Sequence, residues 1–240
     1  MTTLSRTLFR LDLMKRQLQL ISFISLFLLL SVMQSSAQVV TYPIGTNGIL
    51  ENFQLSNPEY EFQTNSKNKF GNKDTLVLPF FDDFSESKLY PDSSKWLNNQ
   101  VYVNNQFPIE PPTFNVATFD ALDSDGKPYR NTINKDLSAS GDSLISQPIN
   151  LKDSMGIPYT LSDSIMLSFF YQPNGNGYHL NGEDSLRLYF KADNNAWILV
   201  WSAGGQALSK EFEHIILPLK DANYLHTDFQ FMFTTYTRQV

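Results

Sequence analysis

Alternation with a period of two runs through the second half of the chain. Leu186, Leu188 and Phe190 alternate with Arg187, Tyr189 and Lys191, the pattern of a half-buried strand. Trp197, Leu199 and Trp201 alternate in the same way, although Ile198 and Val200 between them are also apolar. Phe212, His214 and Ile216 interleave with Glu211, Glu213 and Ile215, and Phe229, Phe231 and Phe233 share one face opposite Gln230, Met232 and Thr234. Ile165 to Tyr171 is nearly all apolar, which predicts a strand in the middle of a sheet. Thr75 to Phe81, Val101 to Val103, Val116 to Phe119 and Ser143 to Ile149 add shorter runs.

Between these runs lie Pro111-Pro112, Asp123-Ser124-Asp125-Gly126, Asn174-Gly175-Asn176-Gly177 and Gly204-Gly205. Such segments turn the chain, because Gly reaches positive φ and Asp or Asn bonds its own backbone. Past the first forty residues no apolar stripe recurs at helical spacing. Short strands separated by turns predict an all-β sandwich over residues 75–240. Residues 38–74 show no hydrophobic period and read as an irregular leader or linker, with one short strand near Tyr60 to Gln63.

The amino terminus has a different texture. Met14-Lys15-Arg16 opens a basic segment, an apolar run of 16 residues extends from Leu18 to Met33, and Ser35-Ser36-Ala37 supplies small residues. That order is a secretory signal peptide over residues 1–37, cleaved between Ala37 and Gln38. A spanning helix needs about 20 apolar residues, so this run is too short for an anchor, and no transmembrane segment is expected after cleavage. Met14 alone also gives a well-proportioned signal, which makes it an alternative start. The expected location is outside the cytoplasm, in the periplasm, on the outer cell surface or in the medium.

Cleavage would leave 240 − 37 = 203 residues and remove Arg6, Arg10, Lys15, Arg16 and Asp12. The remainder holds 18 − 4 = 14 basic and 24 − 1 = 23 acidic side chains, a net charge of −9. Nucleic acid is not the expected partner of such a surface, because phosphate neutralisation needs clustered Lys and Arg. The chain has no cysteine, which excludes disulfides, thiolate metal sites and a cysteine nucleophile. Its 19 Phe, 11 Tyr and 3 Trp must supply the core instead.

A set of phrases in fixed order carries a resemblance. Leu78-Pro79-Phe80-Phe81-Asp82-Asp83-Phe84-Ser85 is followed by Trp96, Val101-Tyr102-Val103-Asn104 and Val116-Ala117-Thr118-Phe119-Asp120-Ala121. Gly126-Lys127-Pro128-Tyr129, Asp142 to Ile149, Leu167 to Gln172, Asp184-Ser185-Leu186 and Trp197 to Trp201 continue the series. Together, from Leu76 to Phe233, they resemble the N-terminal module of large surface proteins that gliding-type bacteria export by a type IX system. The resemblance implies a jelly-roll sandwich similar to MAM and concanavalin-like domains, the type IX machinery as export partner, and surface display with an adhesive role. It assigns no reaction. Two departures stand out: the glycine loop here continues as Tyr178-His179-Leu180-Asn181, and such modules carry further strands after the phenylalanine-rich one. Only seven residues follow Phe233, so the sandwich is expected to lack its closing strands.

Candidate chemistry is sparse. In MAM-like sandwiches an acidic pair after the first strand contributes to a calcium site, which points to Asp82 and Asp83, although calcium takes six to eight oxygens. Asp123, Asp125 and Gly126 match only the start of a calcium loop and fit an Asx-turn better. His179, His214 and His226 are scattered without zinc spacing, and His214 reads as a packed strand residue. No G-x-S-x-G elbow occurs. Paired carboxylates for glycoside hydrolysis stay open, since they can lie far apart in sequence. Trp197 and Trp201, four residues apart, share a strand face and form either inter-sheet core or a sugar-stacking platform. The functional expectation is an exported, non-catalytic sandwich used for adhesion or as a structural or ligand-binding base, with surface polysaccharide or protein as partner. The alternative is a carbohydrate-binding module accompanying an extracellular hydrolase.

Overall fold

Turn residues cut the apolar runs into short strands, and the strands pair antiparallel. The structure is a computed structural model and describes residues 14–25, 45–62, 75–129, 139–177, 180, 182–205 and 210–237. The chain divides into two units, Met1–Thr41 and Tyr42–Val240. In the first unit residues 14–25 form helix α1, which leaves Leu18, Ile21 and Phe23 exposed. No described helix is long and apolar enough to cross a membrane. Ala37 and Gln38 lie outside the described residues.

Among its described residues the second unit contains helix α2 (Gly48–Ser56) and ten strands. These are β1 (Tyr102–Asn104), β2 (Val116–Thr118), β3 (Ala139–Ile145), β4 (Asp153–Ser154), β5 (Ile157–Pro158), β6 (Met166–Tyr171), β7 (Ser185–Lys191), β8 (Trp197–Gly204), β9 (Glu213–Pro218) and β10 (Phe231–Thr237). One sheet has four strands in the order β3-β10-β7-β8, and β1-β2, β4-β5 and β6-β9 form two-stranded sheets. Leu144, Leu188, Phe190, Phe231 and Phe233 fill the inner face of the four-stranded sheet and are buried. Phe169 of β6 meets them edge-on, with ring centroids 5.1 Å from Trp201 and 4.8 Å from Phe233. Each such pair contributes about 0.5–1.5 kcal/mol beyond its area burial. The fold is therefore all-β and sandwich-like, as its periodicity predicts.

Three expectations change. Ile165 to Tyr171 does not run through the middle of a sheet: β6 pairs only with β9 among the described strands, and Met166 and Phe170 are exposed. In β9 the inward residues are Ile215 and Leu217, because Ile215 pairs with the core residue Phe169 while His214 pairs with Phe170. His214 thus lies on the outer face, its ring stacked 4.3 Å from that of Phe170. In β8 a bulge separates the two tryptophans. Leu188 pairs with Trp201 and Tyr189 with Leu199, so Val200 has no partner. An extra residue reverses the alternation, sending Trp201 inward against Phe169 and Tyr171 and leaving Trp197 and Leu199 outward.

The leader is not wholly irregular. Asn47 caps α2 by accepting from the Ile49 and Leu50 amides, which satisfies two free donors of the first turn. Leu50 and Phe53, one turn apart, pack with Tyr60, Phe62, Leu89, Tyr90 and Tyr102 in a second cluster. Tyr60 stacks on Tyr90 at 5.4 Å, and residues 60–62 are not a strand. Gly126, at φ 77, receives the Asn47 N–H at its carbonyl, 2.8 Å away, and a Cβ there would lie 2.7 Å from the Asn47 carbonyl oxygen. Only glycine allows this close approach at positive φ.

Candidate functional site

Cross-strand partners in an antiparallel sheet point to the same side, so the register defines the outer face of the four-stranded sheet. One row crosses all four strands: Ile145, Met232, Tyr189 and Leu199. The next row is Ser143, Thr234, Arg187 and Ser202. On the other side of the apolar row Lys191 pairs with Trp197. Tyr236 lies beyond the hydroxyl row, and the Arg187 guanidinium sits 4.4 Å from its ring centroid. Leu199 is 50% exposed, and Tyr189, Met232 and Trp197 are half-buried. None of these positions carries a carboxylate. Arg187 donates from Nε to the Ser185 hydroxyl at 3.1 Å, and Lys191 to the Gln230 side-chain oxygen at 3.0 Å. Neither cation is in an ion pair among the described residues.

The two aspartates expected to hold calcium are bonded within the fold. Asp82 is 3% exposed and is bridged by Lys95 at 3.0 Å. Its Oδ1 also accepts from the Phe84 amide, and its Oδ2 accepts from the Trp96 indole at 2.6 Å. Asp83 accepts from the Ser85 amide and hydroxyl, and these bonds hold its carboxyl below the usual range. Asp82 Oδ1 and Oδ2 and Asp83 Oδ1 thus accept from turn and core donors, which leaves the pair few oxygens for a cation that takes six to eight. No group of three acidic or histidine side chains suited to a metal occurs among the described residues. Millimolar calcium is expected to leave the melting temperature of the wild type and of Asp83→Ala alike in differential scanning calorimetry. A rise confined to the wild type would restore calcium.

Asp123 closes the expected Asx-turn, its Oδ1 accepting from the amides of Asp125 and Lys127. His226 is structural: its Nε2–H donates to the Lys191 carbonyl, and its Nδ1 accepts from the Asp228 amide. His179 lies outside the described residues. Glu213 accepts from the Tyr171 hydroxyl at 2.9 Å, and burial together with that carboxylate pushes Tyr171 up to about 12.

Sequence reasoning missed one polar cluster. Asp142 in β3 is 0% exposed. It accepts from the Tyr129 hydroxyl and from the Ala121 amide, each at 2.8 Å, where Ala121 holds φ 61. Asp120 accepts from the Leu122 amide and from Asn47 of the α2 cap. Burial pushes Asp120 up to about 6, and burial with the neighbouring Asp120 charge lifts Asp142 well above the carboxylate range. Tyr129 is raised by burial and by Asp142. An Asp inside an alternating run signals such a group only once its partners are known to lie across the fold. No protein-family model, curated protein or solved structure matches this chain.

Proposed function

We propose that this chain is an exported, non-catalytic module of a cell-surface protein, a jelly-roll sandwich of MAM-like type that adheres through the outer face of its four-stranded sheet. The observation that carries this reading is the composition of that face. An apolar row reaches from β3 to β8 beside Arg187 and the exposed Ser202, whereas the buried carboxylates elsewhere are tied into the fold. Binding surfaces favour this combination, aromatic and Arg residues with few acidic ones. Export by a type IX system rests on the resemblance of the ordered phrases, and the signal at residues 1–37 agrees with it.

The outward position of Trp197 supports a second reading, a carbohydrate-binding module accompanying an extracellular hydrolase. Trp201 has no part in it, since its ring packs between the sheets.

The test is attachment of beads coated with the full chain to the surface of the producing cells. Leu199→Glu/Ser202→Glu places two charges on exposed positions of the face, and it is expected to reduce attachment at least tenfold with an unchanged melting temperature. Undiminished attachment would overturn the sheet-face reading.

A further inference from the structure

The outer face of the β3-β10-β7-β8 sheet carries more than an apolar row. Trp197 is the diagonal neighbour of Tyr189 across the β7–β8 pair, and diagonal neighbours lie about 7–8 Å apart, within reach of aromatic rings. Arg187 stands two residues before Tyr189 on the same strand, and its guanidinium covers the Tyr236 ring. An oblique track therefore crosses three strands: indole, phenol, guanidinium, phenol. The exposed Ser202 hydroxyl accompanies it, whereas the Thr234 hydroxyl is buried on the Asp142 carbonyl and the Ser143 hydroxyl is held between Asn98 and Gln100.

Charge decides what fits this track. The whole chain carries a net −6, yet the face holds Arg187 and Lys191 with no carboxylate on its rows and, among the described residues, no ion pair to either cation. The net negative charge repels a polyanion, but screening confines each interaction to a Debye length of about 8 Å at physiological salt, so on this face the two cations dominate and attract isolated carboxylates. A guanidinium forms paired hydrogen bonds with a planar carboxylate. Aromatic faces take flat, weakly polar rings, and hydroxyls both donate to and accept from other hydroxyls. A ligand that needs all three is a chain of ring-shaped, hydroxylated, acidic units.

We propose that the occupant of this face is an acidic polysaccharide. Its sugar rings lie against Trp197 and Tyr189, and its carboxylates meet Arg187 and Lys191. The inference rests on the sheet-face reading of the function and adds the class of ligand.

Affinity electrophoresis and titration calorimetry of the full chain provide the test, with polygalacturonate, its fully methyl-esterified form and poly-glutamate as probes. Polygalacturonate is expected to bind at least tenfold more tightly than either of the others and to weaken with salt. Arg187→Gln and Lys191→Gln should each remove most of the preference for the acid over the ester. Trp197→Ala should weaken both sugar polymers. All three variants should keep the wild-type melting temperature, and the Lys191 variant alone carries the charge test if Arg187→Gln loosens the sheet. Equal binding of acid and ester, or of polygalacturonate and poly-glutamate, would overturn the acidic-sugar assignment. If no polysaccharide binds while cell attachment still depends on Leu199 and Ser202, the sheet face survives with another occupant and this inference fails. Loss of both would remove the sheet-face reading as well.

Discussion

Trp96→Ala is expected to lower the unfolding free energy by about 4 kcal/mol or more, the range for truncating a buried aromatic. The indole stacks on Phe84 and meets Phe80 and Phe231 edge-on at 5.5 and 5.7 Å. It therefore joins the segment before β1 to the core face of β10. Its removal also takes the donor from Asp82 Oδ2, and a stranded buried acceptor adds about 1–3 kcal/mol. For a domain of this size the melting temperature should fall by roughly 10 °C or more. Trp96→Phe keeps a ring but not the indole N–H, and should cost about half as much. Urea unfolding followed by circular dichroism measures both, and a loss under about 1 kcal/mol for Trp96→Ala would show that the ring cluster holds little.

The second large effect is a pH dependence set by Asp120 and Asp142. Both carboxyls are raised in the fold, so the folded state binds protons that the unfolded chain releases near pH 4. Their contribution is fully present below that point, and Asp120 loses its share as pH rises to about 6. Raising Asp120 from its ordinary value to about 6 corresponds to at most about 3 kcal/mol, and Asp142 extends the loss to higher pH. Asp83 and Asp163 act in the opposite sense: hydrogen bonds from Ser85 and Thr160 lower them, so they stabilise above the ordinary carboxylate range and lose that as pH falls through it. Stability should accordingly peak near about pH 4–5 and decline toward neutrality by about 2–3 kcal/mol. Asp120→Asn should flatten the decline, matching the wild type near pH 4 and exceeding it at pH 7. Wild-type stability that climbs steadily from pH 4 to 7 would contradict the buried pair.

The strands were readable because a half-buried strand must alternate. Leu188 and Phe190 face the core while Arg187, Tyr189 and Lys191 face out, as the period of two predicts. Phe229, Phe231 and Phe233 are all buried for the same reason. In β9 both neighbours of Ile215 have an apolar or aromatic character, so alternation alone does not choose the inward side; pairing with Phe169 does. Helix α2 was missed because its apolar contribution is short, only Leu50 and Phe53, and its stability comes from the distant Tyr90 and Tyr102.

The candidate site was half-visible in the same way. Trp197 stood out in the sequence, but Tyr189 and Arg187 read as the solvent side of a strand until register placed them on one sheet face with it. A single unpaired residue, Val200, separates the two tryptophans, and no local pattern marks a bulge that arises from fitting β8 against β7. Likewise the sequence offered Asp82 as half of a calcium pair and gave no sign that Lys95 and Trp96 bond it within the fold. By itself the sequence determined the all-β class, the positions of most strands and the residues available to the core, because these follow from local alternation and turn chemistry. Register, the inward side of β8 and β9, and the fate of each carboxylate were decided only in the tertiary structure, because each depends on a partner many residues away.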